Sequence, residues 1–541
     1  MRAPQAAPPM ALSSGEGATV PAPAEPVIPK DSLPRVPPGQ GPILVWFKHD
    51  LRVSDHPGLL AAAATGRQVI PFFCLDPEAY ADLALQPSGP RALVGALAAL
   101  RSALRPLGSD LVVRVGPADV TTAAFCAQNG VDAVMTEREV EARWIESKSR
   151  LSAALQLQRP STRIGSWGAP LYTPGAFHPN FRSWKKARGS PLAPLPPPAS
   201  LPALPAGADG ADLAGEIPTL EAAEKLLREA LAAGIGDAAA RRIIGSVADA
   251  EAAAVPAAPA PDARAPVAVR AAPFVTSLLE ALAADGAAAA TPHTAAGGAA
   301  EVAALRAYLA SQQPSAALPP GLAFLREAVQ KLESPANVGG SFLALLGRPL
   351  VRLGRLSVRQ VYAEAQDYER RRWGSFRIPI SPATATARAA LDAAELADFH
   401  SQLATFDATA GSGTWKKPGA GWAAEPVASV SASYEESADG CVEAWGGAAG
   451  AAGGWPAGVP RRCAWRWRGA LTDYCYAEPA APRAGAPAVL LCHGFGAFGD
   501  QWRGNLAALA AEGFKVYAPT LPGFGRSEKA PIGYSQDAWC A

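Results

Sequence analysis

The sequence predicts an α/β protein, with a doubly wound parallel-sheet domain, then a helical region, then a second and shorter α/β segment. Short apolar runs alternate with helix-periodic stretches between residues 42 and 205, which is typical of sheets built from right-handed crossovers. Helical periodicity without strand-like runs follows over 299–400, and strand–helix alternation returns over 464–541. The changes in the period of the apolar residues therefore predict the order of these three regions.

The first domain is predicted to contain four parallel strands with helices between them. Each predicted strand is a short, mainly apolar run, as expected for a strand buried on both faces. The strands are Ile43–Phe47, Val69–Cys74, Leu111–Val115 and Ala133–Met135, and the helices between them include Leu93–Leu104 and Val120–Asn129. Polar residues directly after a strand are then expected at the carboxyl edge of the sheet, where such folds bind ligands.

The rest of the chain is predicted to combine helices with linkers. Residues 1–41 are expected to be disordered, residues 206–298 to form an Ala/Pro-rich linker with one short helix, and residues 401–463 to form a Gly/Ala-rich linker. Helices are predicted at Leu220–Ala233, Ala299–Gln312, Leu322–Leu332, Ser341–Leu346 and Val358–Arg372.

Composition excludes several classes of function. Lys+Arg 49 against Asp+Glu 48 gives a net charge of +1, which predicts no general attraction to nucleic acid or to anionic membranes. No apolar run reaches the roughly 18 residues of a transmembrane helix, and residues 1–41 lack the features of a secretory signal. The seven cysteines include no C-x-x-C pair, so neither a zinc ribbon nor a thioredoxin-type site is expected.

Several motifs occur in a characteristic order within residues 42–205. They are WFKHDLRVSDHPGL from Trp46, VIPFFCLDP from Val69, GSDLVVR from Gly108, EREVE from Glu137, WGAPLY from Trp167 and FRSW from Phe181. Together they resemble the N-terminal α/β domain of the photolyase/cryptochrome family. The resemblance implies a domain that holds an antenna chromophore, such as a folate or a deazaflavin.

Beyond this domain the resemblance weakens. Gly297 and Gly298 with Glu301, and the run from Leu353 to Tyr362, are similar to parts of the family's helical domain. The family's phosphate-binding loop before Leu353 and its flavin-reducing tryptophan chain are not identifiable. FAD is therefore not expected, and the catalytic flavin pocket is predicted to be missing or vestigial.

Asp50, Arg52 and Asp55 are the candidate cofactor-binding residues, because they follow the first strand at the carboxyl edge of the sheet. In one interpretation they contact a small-molecule chromophore. In the other, which is favoured, they form an Arg–carboxylate network that fixes the loop. His49 and His56 flank the same loop without the further ligands of a metal site, so no metal is predicted.

Two basic runs have two interpretations, phosphate contacts or solvated faces. Arg182, Lys185, Lys186 and Arg188 alternate with aromatic residues, and residues 370–372 are three consecutive arginines. Because the net charge is close to zero, solvated faces are favoured and nucleic acid is not predicted as a partner.

The segment 464–541 contains a strand, a glycine-rich loop and a helix in the order that opens an α/β-hydrolase. It resembles plastid members of that family, which supply an oxyanion N–H from the loop after the third strand. His493, Gly494, Phe495 and Gly496 are accordingly the candidate oxyanion loop. The 541 residues contain no G-x-S-x-G motif, and Ser527 lacks that motif's second glycine, so a relic or a truncated hydrolase is expected.

Three functions are thus possible. The first is a photolyase/cryptochrome-like protein whose α/β domain binds a chromophore or nucleotide, or serves as a scaffold, without DNA repair. The second is an ester-type α/β-hydrolase if the chain is truncated, and the third is a light-dependent DNA photolyase. The overall order resembles a plant and green-algal fusion, which implies a chloroplast location, with the cytoplasm as the alternative.

Overall fold

The computed structural model describes most of the two α/β regions and parts of the helical region. The described residues are 33–85, 89–172, 178, 180–205, 213–234, 299–313, 318, 325–326, 329, 342, 346–347, 350–373, 384–409, 458–467 and 470–528. The predicted helices Leu322–Leu332 and Ser341–Leu346, the N-terminal segment 1–41 and both predicted linkers lie largely outside these residues. Among the helices that can be described, none is both long and apolar enough to cross a bilayer.

The first domain is a five-stranded, entirely parallel sheet with the order β3-β2-β1-β4-β5, which confirms the predicted doubly wound fold. The strands are β1 (Ile43–Phe47), β2 (Val69–Leu75), β3 (Val112–Val115), β4 (Ala133–Glu137) and β5 (Arg163–Trp167). All five residues of the central strand β1 are fully buried. Strands β2 and β3 lie on one side of β1, and β4 and β5 lie on the other, so the strand order reverses between β1 and β4. A crevice is therefore expected at the carboxyl ends of β1 and β4.

Four helices connect these strands: α1 (Pro57–Ala64), α2 (Gly89–Leu104), α3 (Ala118–Gln128) and α4 (Ala142–Gln158). Two of the predicted helices correspond to α2 and α3, whereas α1, α4 and β5 are additions to the predicted pattern. In α4 the buried residues Trp144, Leu151 and Leu155 recur at helical spacing and contribute to the core of the first domain.

The helical region is built mainly around a second core. Its elements are α5 (Phe181–Ala187), α6 (Leu220–Gly234), α7 (Ala299–Ala310), α8 (Val358–Trp373) and α9 (Ala385–Thr409). Leu305, Val361, Ala390 and Phe399 from α7, α8 and α9 pack together, whereas α6 joins the first core. Helix α9 continues past residue 401, where a linker was expected to begin, because Leu403 is buried in the same core.

The C-terminal segment forms a separate four-stranded sheet with the order β6-β7-β9-β8. Its elements are β6 (Arg461–Trp467), β7 (Ala470–Ala477), β8 (Val489–Leu490), α10 (Arg503–Ala511) and β9 (Val516–Pro519). Strands β6 and β7 form an antiparallel hairpin, and β8 pairs in parallel with β9. Strand β6 begins three residues before the predicted boundary at 464.

Candidate functional site

A cavity of about 290 Å³ lies at the carboxyl edge of β1 and β4. The cavity is lined by the loops after β1, β4 and β5, by residues before and at the start of α8, by helix α9, and by the C-terminal segment. The C-terminal segment contributes Arg466 and Glu528. The volume is close to the lower limit of about 300 Å³ for small-molecule sites. The position coincides with the crevice in which doubly wound sheets bind ligands.

Asp50 fixes the loop after β1. Its carboxylate accepts a hydrogen bond from the backbone N–H of Lys48 at 2.7 Å and pairs with Nε2 of His56 at 2.9 Å. The other ring nitrogen of His56, Nδ1, accepts from the N–H of Leu59 at 2.9 Å and so caps α1. Burial alone would raise the pKa of Asp50, but the hydrogen bonds from His56 and Lys48 hold it below its usual value. His56 is therefore a buried structural residue.

Asp55 and Arg52 join the first domain to the helical region. The Asp55 carboxylate is fully buried and receives Arg359 at 2.7 and 3.1 Å, together with the N–H of Leu195 at 2.9 Å. Arg52 donates to the carbonyl oxygens of Asp55, at 3.2 Å, and of Gly354, at 3.1 Å. Of the three predicted ligand-binding residues, Arg52 lies in the cavity wall, whereas both carboxylates are engaged by protein groups.

His49 and Arg352 line the cavity, and each also carries polar atoms that are buried without a partner among the described residues. Both ring nitrogens of His49, and Nε and Nη1 of Arg352, are buried without a hydrogen-bond partner among the described residues. Another nitrogen of the Arg352 guanidinium, Nη2, pairs with Asp82. Burial lowers the pKa of His49, so its ring is neutral near pH 7 and offers one donor and one acceptor.

Sequence reasoning did not select either residue as a ligand contact. Arg352 precedes the Leu353–Tyr362 motif, and His49 lies beside Asp50, so both adjoin positions that the motifs marked. An unsatisfied buried polar group costs about 1–3 kcal/mol. Because these nitrogens are fully buried, a bound molecule would remove that cost only if the two side chains turned them toward the cavity.

Three carboxyl groups in the wall are shifted toward their neutral form. Burial raises the pKa of Glu137 to about 8 and that of Asp398 to about 7, and it also raises the pKa of Glu528. A fourth acid, Glu139, lies 3.5 Å from the ammonium of Lys48. The wall also contains four arginines, Arg52, Arg138, Arg352 and Arg466. Near neutral pH this balance favours a ligand that is anionic or rich in hydrogen-bond acceptors.

The two predicted basic runs are partly paired within the protein. Arg188 lies 2.8 Å from Glu395, and its guanidinium lies over the ring of Tyr172. Lys185 pairs with the same carboxylate, while Arg370 pairs with Asp367. These contacts reduce the positive charge that either run presents to solvent.

The candidate oxyanion loop is held by its histidine. Nε2 of His493 accepts from the backbone N–H of Leu521 at 2.9 Å, so Nδ1 carries the proton and donates to the carbonyl of Gly494 at 2.8 Å. The space around Gly494 and Gly496 is open, and the Phe495 side chain is 94% exposed. The loop therefore presents accessible backbone, which an oxyanion site requires.

Ser527 has a structural role in this segment. Its hydroxyl is fully buried, accepts from the N–H of Asp473 at 2.9 Å and donates to the carbonyl of Thr520. A serine engaged in this way is not presented to a substrate.

Comparison with known families identifies the two α/β regions. Residues 43–197 match the family model described as DNA photolyase, and residues 487–541 match the one described as the alpha/beta hydrolase fold. The C-terminal match contains the candidate oxyanion loop. The N-terminal match contains the β1 and β4 sides of the cavity.

Curated relatives match the first part of the chain. A cryptochrome DASH of Gloeobacter violaceus is 33% identical over 193 residues, which are 33% of this chain and 37% of the relative. The blue-light photoreceptor PHR2 of Arabidopsis thaliana is 31% identical over 134 residues, 24% of this chain and 30% of the relative. A chloroplastic/mitochondrial cryptochrome DASH of the same plant is 25% identical over 142 residues, 25% of each chain. The chain thus matches well under half the length of each relative.

Proposed function

We propose that this chain, which joins a DNA photolyase domain to part of an α/β-hydrolase fold, is a light-responsive protein that binds a chromophore in the cavity at the carboxyl edge of β1 and β4. The observation that carries this function is the cavity itself, which lies at the carboxyl edge of β1 and β4 and has His49 and four arginines in its wall. The name of one relative, a blue-light photoreceptor of Arabidopsis thaliana, supports the same function.

The chemistry of the wall indicates the class of ligand. The planar guanidinium of Arg352 is of a kind that suits a carbonyl or carboxylate, and the neutral ring of His49 suits a group that both donates and accepts. A folate or a deazaflavin carries ring carbonyls beside N–H groups and meets these requirements. A volume of about 290 Å³ favours one ring system over a dinucleotide such as FAD.

A spectroscopic experiment tests this function. The full-length chain is purified and examined for a near-UV or blue absorption band, and it is then titrated with methenyltetrahydrofolate and with a deazariboflavin. Arg352→Lys keeps the charge beside Asp82 but loses the planar fork, so it is expected to weaken binding at least about tenfold. Arg355→Lys is the matched control, because Arg355 lies in the same turn and pairs with Glu301 but does not line the cavity.

We also propose that the chain does not repair DNA. The internal pairing of Lys185, Arg188 and Arg370 leaves little free positive charge for a phosphate backbone. Purified protein, illuminated with blue light and incubated with DNA that contains pyrimidine dimers, is expected to leave the dimers intact. Light-dependent loss of dimers would establish the photolyase alternative.

A hydrolase is the second candidate, and the open backbone at Gly494 and Gly496 favours it. In that function the loop would stabilise the oxyanion formed during ester hydrolysis. A fluorophosphonate probe, which labels activated serines, tests it on the native protein. Labelling supports the hydrolase, and absence of labelling on folded protein opposes it.

We propose a chloroplast location. It is supported by the name of one relative, a chloroplastic/mitochondrial cryptochrome DASH. A fluorescent protein fused after residue 541 would coincide with chlorophyll if this is correct, and a cytoplasmic signal would contradict it.

A further inference from the structure

The C-terminal segment lies against the photolyase domain next to the cavity. On β6, Arg461 lies 2.8 Å from Glu146, and Arg466 lies 3.5 Å from Glu141. Both acids are at the start of α4, directly after the β4 loop that lines the cavity. Glu141 is fully buried, and although burial alone would raise its pKa, Arg143 foremost, then His49 and Arg466, lower it to about 2.

Apolar contacts accompany these ion pairs. Val140 packs with Ala464 and Leu471, and Ala142 packs with Cys463 and Tyr476. The hairpin β6–β7 is thus attached to residues 140–146 along its length. Since residues 137–140 form one side of the cavity, the hairpin lies directly beside the proposed ligand.

Two side chains of the C-terminal segment reach the cavity itself. Arg466 and Glu528 both line it. Glu528 is held on β7, because its carboxylate accepts from the N–H of Leu471 at 2.8 Å and its own N–H donates to the carbonyl of Leu471. The cavity would therefore lose part of its wall if the hairpin moved away.

We propose that the chromophore site is shared between the two lineages of the chain, with Arg466 of the hydrolase-type segment as a ligand-contacting residue. This inference rests on the proposed function. The ligand it requires is the same one, a ring system with carbonyl or carboxylate groups, and Arg466 contributes a further guanidinium to the wall that contains Arg352. Because binding then needs the docked hairpin, ligand binding and docking must stabilise each other to the same extent.

Hydrogen exchange of the full chain tests the coupling. Amide exchange over residues 461–477 is measured by mass spectrometry with and without methenyltetrahydrofolate or a deazariboflavin, whichever the titration shows to bind. If binding requires the docked hairpin, a probe concentration of 100 times Kd should slow exchange through undocking by about 100-fold. Unchanged exchange in β6 and β7 at saturation would overturn the inference.

A pair of variants isolates the contact. Arg466→Gln and Arg461→Gln each remove an arginine on β6 that pairs with an acid of α4, but only Arg466 lines the cavity. Arg466→Gln is expected to weaken probe binding by about tenfold or more, whereas Arg461→Gln changes it by less than about threefold, since exposed ion pairs contribute little.

The outcomes are distinguishable. If the wild-type chain binds neither probe, the proposed function and this inference both fall. If it binds but the two glutamine variants bind alike and β6 gains no protection, the inference falls and the proposed function stands. Exchange of wild-type protein needs no variant, so a misfolded Arg466→Gln does not prevent the test.

Discussion

Gly354 offers the sharpest test of how the helical region packs on the first domain. It adopts φ +71°, and a Cβ built there would lie 2.5 Å from the carbonyl carbon of His49 and closer still to the carbonyl oxygen of His49 and Cα of Asp50. The colliding atoms belong to the backbone of the loop that Asp50 fixes, so they have little freedom to shift. Substitution of this glycine should therefore separate the turn before α8 from the cavity.

We expect Gly354→Ala to lower the free energy of unfolding by about 2–5 kcal/mol. Left-handed strain for a residue with a Cβ accounts for roughly 1–2 kcal/mol, and overpacking against fixed atoms for roughly 1–3 kcal/mol. The measurement is urea denaturation of the full chain, followed by circular dichroism and tryptophan fluorescence.

Gly66→Ala is the matched control for this substitution. Gly66 has nearly the same φ, +72°, but a Cβ there meets nothing within 4 Å. Gly66→Ala should therefore lower the free energy of unfolding by only the cost of left-handed strain, roughly 1–2 kcal/mol. If Gly354→Ala proves no more destabilising than Gly66→Ala, the turn does not contact the β1 loop as described, and the cavity loses one of its sides.

Three other predictions concern single groups. Glu137 has a pKa of about 8 when folded and near 4.5 when unfolded, so stability should fall as pH rises through that window. Glu137→Gln should make the fall smaller in urea titrations, leaving the part due to Asp398 and Glu528, and an unchanged pH profile would contradict this. Asp55→Asn leaves Arg359 buried without its charge partner and should cost about 3–5 kcal/mol, whereas a loss below about 1 kcal/mol would show an exposed pair. Ser527→Ala should lower the stability of the C-terminal segment by about 1–3 kcal/mol without altering any fluorophosphonate labelling, and loss of labelling would instead make Ser527 a nucleophile.

The parallel sheet could be predicted because its strands are buried on both faces. Ile43–Phe47 is continuously apolar in sequence and continuously buried in the structure, so the pattern and its cause coincide. Strand β5 (Arg163–Trp167) was not predicted because it lies at the sheet edge, where a mixed sequence suffices. Helix α9 was not predicted because its many alanines give little contrast between faces, although alanine itself favours helix.

The candidate site was only partly predictable. The loop after β1 was located correctly, since sheet topology alone places it at the carboxyl edge. The cavity also needs Arg352, Asp398 and Arg466, which are hundreds of residues away in sequence from His49. No local sequence pattern predicts that these residues line one cavity, because their proximity depends on how the helical region and the hairpin dock. For the same reason, the burial that shifts Glu137 could not be inferred from its sequence neighbours.

The most direct test of the central claim is the absorption spectrum of the purified full-length chain beside that of Arg352→Lys. A chromophore in the cavity predicts a near-UV or blue band in the wild-type protein, after purification or after titration with methenyltetrahydrofolate or a deazariboflavin, and a much weaker band in the variant. A wild-type protein that folds, shows no such band and binds neither compound would contradict the claim.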